Sequence, residues 1–113
     1  MSLDQESALV QLRKGVLEYC VLAQLQRAPS YGLQLAADLA RFRTLFSSEG
    51  TIYPLLARLR KLGYVETTWQ ESTTGPPRRM YKITTSGDHA LSEFTKAWGP
   101  FVDEATRSLT GKN

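Results

Sequence analysis

Apolar residues at Leu9, Leu12, Val16, Tyr19, Cys20 and Ala23 recur at mostly three- and four-residue steps, and Leu17, Val21 and Leu25 form a second stripe beside them. That spacing predicts a helix over about 6–27, buried over much of its circumference. Ala28-Pro29-Ser30 ends it, because Pro29 biases the preceding residue away from helical dihedrals and has no amide hydrogen. Ser30 is placed to cap a second, short amphipathic helix from Tyr31 to about Phe42, with Leu35, Ala36 and Leu39 on its apolar side. Ser47 and Ser48 offer the next cap, and Ile52, Leu55, Leu56, Leu59 and Leu62 draw a third helical stripe that Gly63 closes. Pro54, this close to a helix start, requires an irregular first turn or a cap later than Ser48.

The period then changes from 3.6 to 2. Val65, Thr67 and Trp69 share one face of a first strand, Tyr81 and Ile83 one face of a second, and the Pro- and Gly-containing segment 71–77 between them has turn chemistry. After Thr84-Thr85-Ser86-Gly87 a last helix is expected to about Leu109, with Leu91, Phe94, Trp98, Phe101 and Ala105 at three- and four-residue steps. At 113 residues the chain has room for one core. The reading is therefore a mostly helical α+β unit: 6–85 as a winged helix-turn-helix DNA-binding domain, and 86–109 as a C-terminal dimerisation helix packed on it.

Helix, helix, helix and hairpin is the order of a winged helix-turn-helix, whose third helix enters the major groove while the wing reaches the neighbouring backbone. The charge distribution fits that order. The net +3 is concentrated in residues 47–87, where Arg58, Arg60, Lys61, Arg78, Arg79 and Lys82 face three glutamates, while the segments on either side are nearly neutral. With Ile52, Leu56 and Leu59 turned to the core, Thr51, Pro54, Arg58 and Lys61 point outward, flanked by Tyr53. Ser48, Thr51, Tyr53 and Arg58 are candidates for groove and phosphate contacts, Tyr31 and Lys61 for backbone anchoring, and Arg78, Arg79 and Lys82 for wing contacts. The plainer alternatives are a solvated helix face and wing cations that discourage edge-to-edge pairing.

Composition removes other classes. One cysteine and one histidine, Cys20 and His89, leave no internal disulfide, no metal cluster and no evident acid, base and nucleophile set, so neither catalysis nor a cofactor is expected. Cys20, among apolar neighbours, reads as a small buried hydrophobe. No run approaches the roughly 18 apolar residues of a membrane span, and the start of the chain lacks a secretory pattern, so a cytoplasmic protein is expected. The seam through Leu91, Phe94, Trp98 and Phe101 is too large to leave in water; either the first helix or a partner covers it. Gly99-Pro100 predicts a kink after Trp98, because Pro100 cannot donate to the carbonyl of Lys96.

Several segments together resemble the PadR family of transcriptional regulators: Tyr31-Gly32-Leu33-Gln34-Leu35, then Ser48-Glu49-Gly50-Thr51-Ile52-Tyr53-Pro54-Leu55-Leu56, then Arg58 to Val65, then Arg79 to Thr84 with Gly87. The likeness covers about residues 12–105. Arg60, where the family commonly has an acidic residue, and Pro76-Pro77, in place of the usual basic wing turn, depart from it. The resemblance implies a homodimeric repressor of a near-palindromic duplex site, paired through the first and last helices across a two-fold axis. It also implies release by a small effector or a stress signal; an effector here is expected beside Trp98 as a flat apolar cation or a neutral aromatic, since an indole face stacks with both. The rival function is a winged-helix module whose cations meet an acidic protein.

Overall fold

Leu17, Val21, Leu22 and Leu25 from one helix, Leu35, Ala36 and Leu39 from a second, and Ile52, Leu56 and Leu59 from a third are buried against one another. Val65 and Tyr81 close this core from a sheet, and Leu91 from a last helix. The computed structural model describes residues 3–46 and 49–112. Its elements are α1 (Leu3–Arg13), α2 (Leu17–Arg27), β1 (Ser30–Tyr31), α3 (Gly32–Leu39), α4 (Ile52–Lys61), β2 (Val65–Gln70), β3 (Arg78–Ile83) and α5 (Thr85–Thr110). This is a mostly helical α+β winged helix-turn-helix with a small antiparallel sheet and a long C-terminal helix.

Three boundaries differ from expectation. The first predicted helix is two, because Lys14-Gly15-Val16 turns between α1 and α2 with Gly15 at φ +79°, a left-handed conformation open to glycine. The burial expected over the whole of 6–27 holds only for α2, which buries Leu17, Val21, Leu22 and Leu25, whereas α1 contributes no core residue and leaves Val10 and Leu12 exposed. The sheet has three strands in the order β1-β3-β2, since Ser30 and Tyr31, expected at a cap, pair with Tyr81 and Met80. The second helix is also shorter than predicted, ending at Leu39.

Ser47 and Ser48 lie outside the described residues. A 3-10 turn over Glu49–Thr51 leads into α4, whose N-cap position is Thr51, so Pro54 falls in the first turn, where amides lack intrahelical acceptors. At the other end, Gly63 (φ +81°) donates to the Arg60 carbonyl and Tyr64 to that of Leu59, a Schellman closure. The hairpin pairs Val65 with Ile83 through to Gln70 with Arg78, with residues 71–77 as its tip. Thr84 then caps α5: its Oγ1 accepts from the Gly87 amide at 3.1 Å and donates to the Gly63 carbonyl at 2.6 Å, locking the start of α5 to the end of α4.

The 26-residue α5 runs unbroken through Pro100. Its first half packs on α2, where Phe94 stacks on Tyr19 at 4.0 Å and Gln26 donates to Asp88 at 3.1 Å. Its second half leaves the core, and the molecule is elongated accordingly, 56 × 34 × 21 Å.

Candidate nucleic-acid interface

Because α4 buries Ile52, Leu56 and Leu59, helical geometry turns Pro54, Ala57, Arg58 and Lys61 away from the core, and all four are exposed. The flanks of that face are held differently. On one flank Tyr53 lies over the backbone of Gly32 at the start of α3, so closely that a Cβ at position 32 would come within 2.5 Å of the ring. On the other, Arg58 Nε donates to Glu18 Oε2 on α2 at 2.8 Å. Glu18 is 13% exposed and Arg58 62%, so the pair anchors one edge of the guanidinium and leaves its remainder in solvent. The hydrogen bond to Glu18, with the charge of that carboxylate, raises the Arg58 pKa further above its ordinary value.

The wing adds two arginines on opposite faces of β3, each laid over an aromatic ring. The Arg78 guanidinium sits 4.5 Å from the centre of Tyr31 on β1, and Arg79 sits 5.0 Å from that of Trp69 on β2. Tyr31, Gly32, Tyr53, Arg78 and Arg79 line a notch of about 190 Å³ where the starts of α3 and α4 meet the wing. Of the residues singled out from sequence, the fold therefore gathers Tyr31, Tyr53, Arg78 and Arg79. Lys61 and Lys82 are exposed but stand outside this notch, Lys82 opposite Glu66 in the hairpin register. Thr51 is exposed at the start of α4, and Ser48 falls outside the described residues.

Glu18, Gly32, Ala57 and Trp69 join this surface without having been singled out from sequence. Ala57 was recoverable from the same 100° helical step that gave Arg58; Glu18 and Gly32 depend on tertiary neighbours with no trace in local spacing.

The seam of the last helix divides. Leu91 belongs to the core of its own chain and Phe94 is half-buried against Tyr19, so the first two residues expected at a partner surface are covered internally. Trp98, stacked on Phe94 at 5.5 Å, is 43% exposed and Phe101 68% exposed. With Leu9, Leu12, Leu45 and Val102 they line a groove of about 580 Å³ between α1 and α5, bordered by Arg13 and Lys14. Arg13 also ties α1 to the loop before α4, its Nε donating to the Thr44 carbonyl at 2.9 Å. Cys20, expected to be buried, is half-buried outside the core, and that partial burial raises its thiol pKa. Among the described residues no cluster of His, Cys, Asp and Glu suits a metal ion, and no helix is long and apolar enough to cross a membrane.

Three packed helices, a hairpin wing and an exposed α4 face beside it define a winged-helix protein. The model of the transcriptional regulator PadR-like family matches residues 21–93, and the chain belongs to that family. It is similar to a PadR-like transcriptional regulator from Bacillus cereus, with 39% identity, covering 88% of this chain and 96% of that one at a TM-score of 0.76. A PadR family regulator from Eggerthella lenta is 33% identical, with 92% and 90% covered and a TM-score of 0.80. A relative from Lysinibacillus sphaericus, described only as uncharacterized, is 29% identical over 87 residues, 75% of this chain and 80% of its own. The chain is a DNA-binding transcriptional regulator and not an enzyme.

Proposed function

We propose that this regulator acts as a homodimeric repressor that grips a near-palindromic duplex site, and that a flat neutral aromatic molecule in the α1–α5 groove releases it. The observation that carries the DNA half is the notch in which Tyr31, Tyr53, Arg78 and Arg79 converge beside the exposed face of α4. In this reading Pro54, Ala57 and Arg58 enter the major groove, Thr51 and Tyr53 meet the adjoining backbone, Tyr31 and Lys61 anchor to it, and Arg78, Arg79 and Lys82 follow it along the wing. Ser48 belongs to the same contact set on sequence grounds.

The dimer half rests on the distal seam. Trp98, Phe101 and Leu109 of α5 and Leu12 of α1 leave apolar area in water that a second copy would cover across a two-fold axis. Phe94, stacked on Trp98, supports that surface from its own chain, and Leu91 belongs to the core. For the effector, Trp98 supplies a stacking face, and the groove is bordered by Arg13 and Lys14 with no carboxylate among its described lining residues. Arg13 at the rim is paired with Glu6 at 3.4 Å, so the choice rests on the lining itself, whose apolar residues and lack of a carboxylate favour a neutral ring over the cation equally open from sequence.

Selection of bound duplexes from a random pool tests the reading directly. A sequence preference with two related half-sites about one helical turn apart, and an affinity falling steeply with salt, is the expected result. Binding without sequence preference, or to acidic proteins alone, removes the repressor reading.

A further inference from the structure

Along the core-facing side of β2, burial declines from buried Val65 through half-buried Thr67 to Trp69, whose indole is 66% exposed. The ring therefore lies beyond the reach of the core, and packing does not account for it. What it does touch is Arg79, its cross-strand partner, whose guanidinium lies 5.0 Å from the ring centre. Among the described residues no carboxylate pairs with Arg79. The distinction matters chemically: a carboxylate would cancel the positive charge, whereas a π-face restrains the side chain and leaves its charge available to a polyanion. Arg79 also borders the notch shared with Tyr31 and Tyr53, so a restrained guanidinium here stands beside the start of α4.

We infer that Trp69 is a positioning residue for DNA binding: its indole face holds Arg79 in the pose that meets the duplex next to the third helix of the winged motif. The inference rests on the DNA-binding reading above. A free arginine on a strand would have to surrender its rotamer freedom on association, and an arginine already laid over a ring surrenders less. The effect therefore belongs to affinity through Arg79, and not to a separate contact of Trp69 with phosphate.

The test uses the full chain and a duplex recovered from a random pool by the wild type, with Trp69→Ala, Trp69→Tyr, Arg79→Ala and the Trp69→Ala/Arg79→Ala double variant. Trp69→Ala should weaken binding about three- to five-fold, the scale of an exposed cation–π contact, and Trp69→Tyr should restore most of it. The slope of log affinity against log salt should be unchanged in Trp69→Ala and lower by about 1 in Arg79→Ala. The double variant should bind like Arg79→Ala alone, because the indole has nothing left to position. Wild-type affinity in Trp69→Ala overturns the inference, as do losses that multiply in the double variant. A salt slope lowered by more than about 1 in Trp69→Ala also overturns it, since that marks collapse of the whole wing. A wild type that recovers no duplex from the pool overturns both this inference and the DNA-binding reading; a wild type that binds separates them.

Discussion

Two glycines show how much a single missing Cβ decides. At Gly87 a Cβ would run into the Tyr64 carbonyl oxygen and the Ile83 side chain, both fixed by the α4–β2 turn and the sheet. Gly87→Ala is expected to cost about 1–3 kcal/mol, read as a lower urea midpoint with unchanged slope. At Gly32 the obstacle is the far end of the Tyr53 ring, which can swing away into solvent. Gly32→Ala should therefore leave the unfolding free energy from a urea titration within about 0.5 kcal/mol of wild type and still weaken duplex binding, because it dislodges Tyr53 from the notch. Equal effects of the two substitutions on stability would contradict this assignment. Arg58 presents the complementary case. Its Nε is committed to Glu18 while the rest of the guanidinium is in solvent, so Arg58→Ala should lower the salt slope by about 1. Glu18→Leu, which keeps the cation and removes the acceptor that anchors it, should weaken binding with the slope intact. If Glu18→Leu has no effect on affinity, Arg58 needs no anchor to bind.

At the scale of elements, the parts written in local chemistry are legible in the sequence alone. The α4 stripe, the Gly63 stop, the hairpin with its 71–77 tip and the Thr84 start of α5 each follow from a period or a cap that a short window contains. The parts set by distant neighbours were not. Ser30 and Tyr31 carry no two-residue strand signal; they pair because β3 offers an open edge beside them. The α1–α2 break was hidden because Gly15 is one residue in a stripe that continues on both sides, and only its positive φ separates the helices. A Cβ there meets open space, so Gly15→Ala should cost about 1–2 kcal/mol through backbone conformation alone. The candidate site divides along the same line. Arg78 and Arg79 were visible as a basic pair, whereas the rings that hold them lie on two other strands. In α5, Leu91 and Phe101 looked alike in sequence and differ in the fold. Leu91→Ala, inside the core, should cost about 2–5 kcal/mol in a denaturant melt. Phe101→Ala, on an exposed helix face, should leave the unfolding of a single chain nearly unchanged.

For the whole molecule, the proposed dimer makes Phe101 the decisive position on α5. Phe94 stacks inside its own chain on Tyr19, so a charge placed there disturbs the fold as well as any interface. Phe101 is 68% exposed, and Phe101→Asp adds a charge that a lone chain tolerates in water but an apolar interface cannot desolvate cheaply. Sedimentation at tens of micromolar should find wild type as dimers and Phe101→Asp as folded monomers, with far-UV helicity preserved and half-site cooperativity on duplex DNA lost. A monomeric wild type at that concentration would assign the groove to something other than a second copy. The effector follows from the same surface by linkage. A ring stacked on Trp98 lies one aromatic step from Phe94 and two from Tyr19, whose neighbour Glu18 holds Arg58 of α4. Occupancy of the groove and occupancy of the DNA surface thus bear on one contiguous set of contacts. In a Trp69→Phe background, which silences the wing indole, a neutral flat aromatic should quench Trp98 emission and lower duplex affinity, and saturating duplex should lower affinity for the aromatic by the same factor. Quenching that leaves duplex affinity untouched would mark a groove that binds without regulating.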